Sequence, residues 1–174
     1  MIKLPISTRD GQFTAHYSEN GLAGLDFPQN GRAGPPLGQT ARQRRPTKPN
    51  VVPANIRVWH RITSLALKKI LAGGEPEDFP PLDLVGTAFQ KSVWNALRKI
   101  SAGKTKSYGE IASAIGRPKA VRAVGGACGA NPVPVLVPCH RVLAANKQLG
   151  GFSGGLDWKR SLLAREGVRL RTAS

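Results

Sequence analysis

The first part of the chain alternates apolar and polar residues with the period of a β-strand. Within residues 12–18, apolar Phe13, Ala15 and Tyr17 occupy every second position, and Asn20-Gly21 follows as a tight-turn pair. Apolar residues resume directly after that turn. Two such runs around a short turn predict a β-hairpin.

The next apolar residues recur with helical spacing. Asn55 is the expected N-cap of a helix that ends at Gly73-Gly74. A short strand at residues 82–85 is expected to complete a small sheet. The pattern in residues 1–80 therefore predicts a small N-terminal lobe of helix and antiparallel sheet. This part of the sequence contains no recognisable catalytic motif. The predicted apolar face of its helix comprises Ile56, Trp59, Ile62, Ala66 and Ile70.

The second part of the chain, residues 81–174, is mainly helical in pattern. Apolar residues from Phe89 to Ile100 mark one face of a helix that starts at Thr87 and is expected to end near residues 101–103. Ser107 and Glu110 have the spacing of a capping box. Overall, the fold class is predicted to be α+β, with a mainly helical C-terminal domain.

Two helices joined by a glycine turn predict a helix-turn-helix. A short helix follows Ser107, Gly116-Arg117 breaks it, and Pro118 suits the start of a second helix over residues 119–130. Many helical hairpins bind nothing, so the pattern alone leaves nucleic-acid binding open.

The second of these helices consists almost entirely of small residues. Gly125 and Gly126 each cost about 1 kcal/mol relative to alanine within a helix. One explanation is close packing against the core. The other, which we favour, is a slim helix that enters a narrow minor groove with Arg122 as a probe.

The charge of the chain indicates a polyanionic partner. Lys and Arg number 26 against 10 Asp and Glu, which gives a net charge of +16. Most of this excess lies in residues 81–174. The segment 28–53 is basic and rich in Gly, Pro and Gln, and it is interpreted as a flexible, solvated loop whose arginines also suit nucleic acid.

Other compositional features set the expected environment. No apolar run is long enough to span a membrane, and Met-Ile-Lys-Leu-Pro at the start lacks the core of a signal peptide. The chain has 2 cysteines, too few for a disulfide framework. An intracellular, cytoplasmic protein with access to chromosomal DNA is expected. His16 and His60 stand apart, and no metal site or cofactor is expected.

The strongest chemical signal is Cys139, with His140 beside it in a proline-rich apolar run. An imidazole next to a thiol suits a cysteine nucleophile, and Asn131 and Glu166 can orient the base and hold its charge. A buried, inert core cysteine is the alternative. Cys128 lacks such neighbours and is interpreted as a packing or pocket residue.

Six motifs occur in the order of one family. They are SYGEIA at 107–112, GRPKAVRAVG at 116–125, NP at 131–132, PCHR at 138–141, GFSGG at 151–155 and LLAREG at 162–167. This region, residues 89–168, resembles the O6-alkylguanine-DNA alkyltransferases, also called methylated-DNA–protein-cysteine methyltransferases. Phe152 stands where many members have tyrosine, and the loop 28–53 is longer than expected.

The resemblance implies that Cys139 accepts an alkyl group from O6 of guanine, and less readily from O4 of thymine, in one irreversible turnover. It implies that His140 takes the thiol proton through a water and that Glu166 orients His140. Asn131 is expected to brace the active-site turn, and Tyr108 to hydrogen-bond the departing base.

The remaining implied roles concern substrate and DNA. The substrate pocket is expected to include Cys128, Val142, Ser153 and Gly154. Double-stranded DNA with alkylated bases is the implied partner, and the damaged base is expected to flip out while Arg122 fills its place. The residues expected to contact DNA are Arg122, Ala120, Ala123, Lys104, Lys106 and Arg141.

Three functions are compatible with these sequence features. The first is a stoichiometric alkyl-transfer enzyme, the second a lesion-binding module that leaves the damage in place, and the third a hydrolase built on Cys139, His140 and Glu166. No membrane partner is expected. A monomer in solution is expected, and cooperative assembly on DNA stays open.

Overall fold

The computed structural model describes residues 1–28 and 51–170. The α+β fold class predicted from the sequence is confirmed, with a small antiparallel sheet and five helices in the described residues. Nearly all of the predicted loop 28–53 lies outside those residues, and so does the end of the chain after residue 170.

The N-terminal sheet is an antiparallel meander of β1 (Ile2–Thr8), β2 (Gly11–Tyr17) and β3 (Leu22–Asp26). The predicted hairpin corresponds to β2 and β3. Its inward residues Phe13, Ala15 and Tyr17 are completely buried, as their alternation requires. Strand β1 was not predicted, and it pairs with β2 so that Ile6 faces Phe13.

Helix α1 (Ala54–Leu71) packs against this sheet. It starts two residues earlier than predicted, because Pro53 takes the N-cap position and its carbonyl accepts from the Arg57 amide at 3.0 Å. Asn55 therefore does not cap the helix. The predicted end is correct, since Gly73 adopts the positive φ of 83° that follows the last turn.

The predicted strand at residues 82–85 is reduced to a single parallel bridge between Leu22 and Leu82. The Leu22 amide donates to Pro81 and the Leu22 carbonyl accepts from Asp83, so the segment does run beside β3. One hydrophobic core extends across this point and includes residues from both parts of the chain.

Helix α2 (Ala88–Leu97) begins with a capping box formed by Thr87 and Gln90. Its α-helical part ends at Leu97, earlier than predicted, because Ile100 closes a tighter turn by donating its amide to the Leu97 carbonyl. Ile100 remains buried, so it keeps the predicted apolar position without belonging to the helix.

Helices α3 (Tyr108–Ala114) and α4 (Val121–Gly129) pack against each other as the predicted helix-turn-helix. The Ser107–Glu110 capping box is present, and Gly116 has a φ of 71° in the turn. Helix α4 starts later than predicted, because Pro118 and Lys119 belong to a turn that the Ala120 amide closes on Arg117.

The remaining elements connect the helix-turn-helix to the segment around Cys139. Strand β4 (Lys106–Ser107) pairs in parallel with β5 (Val142–Leu143), and a 3-10 turn spans Cys139–Arg141. Helix α5 (Leu156–Arg165) packs against that turn. Among residues 1–28 and 51–170, no helix has the length and apolar character needed to cross a membrane.

Candidate active site

Cys139 lies at the start of the 3-10 turn and is only 3% exposed. The side-chain amide of Asn131 donates one hydrogen bond to its sulfur at 3.2 Å and another to the Val137 carbonyl at 2.8 Å. The Asn131 oxygen accepts from the Val133 amide at 3.1 Å. Asn131 therefore fixes the backbone on both sides of a turn and places a donor on the thiol.

The backbone between Asn131 and Cys139 is unusual. Val135 is fully buried with a φ of 75°, a left-handed conformation that a β-branched residue rarely adopts. A bridge between Pro134 and Val137 closes this tight turn. Such a conformation persists only where the surroundings impose it, so the position of Cys139 is set by the packing of the whole segment.

His140 and Glu166 form a buried pair next to the thiol. The Nε2 atom of His140 lies 3.0 Å from Glu166, and the two side chains are 0% and 1% exposed. With Nε2–H donating to the carboxylate, the neutral ring keeps its lone pair on Nδ1. That atom is buried and has no hydrogen-bond partner among the described residues, so it is the nitrogen that can accept a proton.

The charge state of this pair follows from its surroundings. Burial lowers the pKa of His140, and the Glu166 carboxylate opposes that change only in part. Burial raises the pKa of Glu166, but hydrogen bonds from His140 and Arg141 outweigh it and bring that pKa to about 2. The resting pair is therefore a neutral imidazole and a carboxylate.

Arg141 has a different position from the DNA contact that the sequence predicts. Its side chain is 7% exposed, and its Nη2 and Nε atoms bind Glu166 at 2.8 Å and 3.0 Å. A further nitrogen donates to the Ile100 carbonyl. Because the guanidinium is buried and bonded on these sides, we replace the predicted DNA contact with a structural role in holding Glu166.

Tyr108 is half-buried at the start of α3 and keeps its proton, because burial and the nearby sulfurs of Cys128 and Cys139 raise its pKa. A Cβ atom at Gly150 would collide with the Tyr108 hydroxyl. The loop that follows β5 therefore comes close to this tyrosine, and glycine is required at the point of approach.

The four predicted pocket residues differ in how far they are buried. Cys128 lies on the inward face of α4, and burial with the charge of Cys139 raises its pKa to about 12. Val142 is fully buried. Ser153 is exposed, whereas Gly154 is half-buried against the ring of Phe27.

The other predicted DNA-contacting residues lie at the surface of the helix-turn-helix and β4. Arg122, Ala123, Lys104 and Lys106 are exposed, and Ala120 is half-buried. A Cβ atom at Gly126 would meet nothing within 4 Å. Close packing inside the protein therefore does not explain this glycine, which favours the interpretation of α4 as a helix kept slim for an external partner.

Lys159 is a site residue that the sequence patterns did not indicate. It is completely buried, and its Nζ donates to the Val142 carbonyl at 2.7 Å. In the sequence it stands between Trp158 and Arg160, where a lysine usually indicates a solvated helix face. In the described part of the chain, no group of three or more His, Cys, Asp or Glu side chains is placed to hold a metal ion.

Comparison with known proteins identifies the family. Residues 88–168 match the family described as 6-O-methylguanine DNA methyltransferase, DNA binding domain. The chain is similar to the protein in the crystal structure of Mycobacterium tuberculosis OGT in complex with DNA, with 38% sequence identity and a TM-score of 0.70. The match covers 93% of this chain and 90% of that chain. The chain belongs to the O6-methylguanine-DNA methyltransferase family.

Curated relatives in this family match over shorter segments. The methylated-DNA–protein-cysteine methyltransferase of Haemophilus influenzae is 53% identical over 119 residues, which cover 63% of this chain and 66% of that protein. The methylated-DNA–protein-cysteine methyltransferase of Methanosarcina acetivorans is 60% identical over 82 residues, which cover 47% of this chain and 53% of that protein. The chain thus spans about half to two thirds of these relatives. The resemblance inferred from the motifs is confirmed.

Proposed function

We propose that this protein repairs alkylated DNA by transferring an alkyl group from O6 of guanine to the sulfur of Cys139. The observation that carries the proposal is the combination of a buried thiol hydrogen-bonded by Asn131 with a neutral His140 held on Glu166. Displacing guanine from an sp³ carbon requires a soft nucleophile, and a thiolate is the softest that side chains offer. The methyltransferase names of the relatives support the same reaction.

The first step of the proposed reaction is deprotonation of Cys139. The thiol proton passes through a water to Nδ1 of His140, the nitrogen that faces no protein partner among the described residues. Glu166 then stabilises the imidazolium through Nε2. Burial raises the pKa of Cys139, while the Asn131 hydrogen bond lowers it, so the thiolate forms mainly when the base is in place.

In the second step the thiolate attacks the alkyl carbon. The new C–S bond forms as the bond from that carbon to O6 breaks, and its electron pair moves onto the guanine. The protonated hydroxyl of Tyr108 donates a hydrogen bond to the departing base, which takes up the proton released by the thiol. The product is a thioether at Cys139 and an unmodified guanine.

The thioether explains why the proposed reaction occurs once per chain. A thioether carbon is not activated for attack by water, unlike the carbonyl of a thioester. Burial raises the pKa of Cys128 to about 12, so the second thiol of the chain stays protonated and is a poor nucleophile for removing the group.

Access to the target requires that the base leaves the DNA stack. Cys139 is 3% exposed, so the alkyl carbon reaches it only in a nucleotide rotated out of the duplex. We infer that α4 enters the minor groove through its small residues and that Arg122 occupies the gap left by the base. The exposed Lys104 and Lys106 are suited to phosphate contacts.

The test is transfer of a labelled methyl group from a duplex with a single O6-methylguanine. The wild-type protein and Cys128→Ser, which keeps one thiol, are expected to take up label, and Cys139→Ala is expected to take up none. Label on Cys139→Ala would overturn the proposal. Binding to the lesion without any transfer would indicate the lesion-binding module, and repeated cleavage of a nitrophenyl ester would indicate a hydrolase.

A further inference from the structure

Lys159 is a buried cation that the reaction described above does not use. Among the residues that the structure describes, it is the one lysine that is buried, and it sits in the first turns of α5 with no exposed surface. Moving an ammonium group out of water costs several kcal/mol unless it is compensated. The burial of this lysine next to the candidate nucleophile therefore requires interactions that compensate for the lost solvation.

Backbone carbonyls, not a carboxylate, hold the Lys159 ammonium. Its Nζ donates to the carbonyls of Val142 at 2.7 Å, Gly150 at 3.3 Å and Gly151 at 3.4 Å. Burial lowers the pKa of Lys159. An ammonium has three N–H donors and a neutral amine only two, so the three acceptors oppose that change and favour the charged form. Within the described residues, Lys159 forms no ion pair with an acidic side chain.

These three carbonyls belong to the two segments that border the candidate active site. Val142 directly follows the Cys139–Arg141 turn, and Gly150 is the residue that approaches the Tyr108 hydroxyl. One side chain thus ties the turn that presents the thiol to the loop that is expected to contact the base. Movement of either segment would change the distance between sulfur and substrate.

The charges around Cys139 leave Lys159 without a counterion until the thiol ionises. Glu166 is shared by His140 and Arg141, so its negative charge offsets the guanidinium. The other titratable groups that face the sulfur are Tyr108 from α3 and Cys128 from α4, and both are neutral at rest. The charge of Lys159 lowers the pKa of Cys139, in opposition to the effect of burial.

We propose that Lys159 is a positioning residue for alkyl transfer, whose ammonium holds the Val142 and Gly150–Gly151 backbone and supplies the positive charge that balances the Cys139 thiolate. The inference rests on the proposed function. Lys159 keeps its proton and forms no bond to the substrate. The thiol proton still moves to His140, and the lysine makes the resulting thiolate less costly to form within the buried site.

The test uses a small neutral electrophile, iodoacetamide, and needs no DNA. The rate of Cys139 modification, located by peptide mass mapping, is measured against pH for the wild type, Lys159→Met and Lys159→Arg. Lys159→Met is expected to move the midpoint of the profile upward by about one pH unit, which is about a tenfold loss of rate at neutral pH. Lys159→Arg, which keeps the charge, is expected to retain most of the wild-type profile.

Folding is checked by circular dichroism and thermal melting. If Lys159→Met does not fold, Lys159→Gln replaces it, because Gln keeps donors for the carbonyls but carries no charge. An uncharged variant that folds and keeps the wild-type pH profile would overturn the electrostatic role. Methyl transfer from DNA is measured in parallel. If iodoacetamide modifies Cys139 of the wild type but no methyl group is taken up from DNA, the proposed function is contradicted. The effect of Lys159 on the reactivity of Cys139 can still be determined in that case.

Discussion

Residues 1–80, the predicted N-terminal lobe, and the region after residue 80 differ in which polar side chains they bury. In the described part of the lobe, Thr63 is the one buried polar residue, and its hydroxyl is bonded to its own helix at Trp59. The second region buries Asn131, His140, Arg141 and Lys159, and it encloses the carboxylate of Glu166. The buried residues of the lobe are thus almost entirely apolar, whereas the second region retains polar groups whose burial opposes folding.

Two adjacent residues show the same contrast over a short distance. Arg165 reaches the lobe through a pair with Asp10 at 2.6 Å, and these side chains are 32% and 22% exposed. Glu166, the next residue, is 1% exposed and faces inward. The Asp10–Arg165 pair joins α5 to the lobe, whereas the Glu166 carboxylate holds His140 and Arg141 in the candidate site. The partly exposed pair thus connects two parts of the fold, and the buried carboxylate belongs to the chemistry.

The largest effect is expected for Glu166→Gln. The substitution leaves Arg141 buried without a counterion and gives His140 a weaker acceptor, so we expect a loss of about 3–5 kcal/mol in the free energy of unfolding. Methyl transfer should fall about a hundredfold. Denaturant melts and single-turnover transfer assays measure both. A variant with wild-type stability and rate would show that the inner cluster has no special role.

Acid should weaken the folded state through the same cluster. The pKa of Glu166 is about 2 in the folded protein against an ordinary value of 4.5, so its stabilisation is complete above pH 4.5 and disappears as pH falls toward 2. Burial also lowers the pKa of His140 from 6.5, so the unfolded chain binds its proton first and stability begins to decline below pH 6.5. Thermal melts from pH 7 to pH 3 should show this decline as a falling melting temperature. In Glu166→Gln the melting temperature should fall less steeply below pH 4.5, because the carboxylate is absent.

The next effect concerns an exposed residue of the second region. Arg122→Ala should reduce methyl transfer from duplex DNA by about tenfold while transfer from the free alkylated base changes little, because the free base needs no flipping. Lys119→Ala, an exposed neighbour in the preceding turn, is the matched control. Equal losses on the two substrates would remove the role assigned to Arg122.

A smaller effect is expected for the exposed lysines before α3. Removing one lysine–phosphate interaction should reduce the slope of log affinity against log salt by about one, so Lys104→Ala with Lys106→Ala should reduce it by about two. Fluorescence anisotropy with undamaged duplex DNA gives the slope. An unchanged slope would mean that these two lysines do not contact DNA phosphates and that the DNA backbone binds elsewhere on the protein surface.

The smallest effect is expected for Asp10→Asn. Its partner Arg165 also donates to the Leu71 carbonyl at 2.9 Å, and the pair is partly solvated, so the loss of stability should be about 0.5–1 kcal/mol. Methyl transfer should stay close to the wild-type rate. A loss comparable to that of Glu166→Gln would mean that the lobe contributes directly to the position of Glu166.

Local patterns were sufficient for much of the fold. The hairpin pattern located β2 and β3, apolar periodicity located α2, and the capping box located the start of α3. Strand β1 was missed although Ile2, Leu4 and Ile6 alternate before Asp10-Gly11, a signal that the sequence does contain. The segment at 82–85 shows the opposite error, because apolar residues there make one bridge and the rest of a strand never forms.

The candidate site was predictable where its chemistry lies in short motifs and not where it depends on folding. Cys139, His140 and Asn131 stand close in sequence, so their proximity was foreseeable. Arg141 and Lys159 look like surface cations in the sequence. Their burial results from the packing of α5 on the 3-10 turn, an interaction between segments that no local pattern encodes.

The most direct measurement is the mass of the protein before and after excess O6-methylguanine DNA. We expect that each chain gains a single methyl group, that further DNA adds no more, and that peptide mapping places the group on the sulfur of Cys139. Methyl on any other residue, or guanine released in excess over protein, would contradict alkyl transfer to this thiol as the function of the chain.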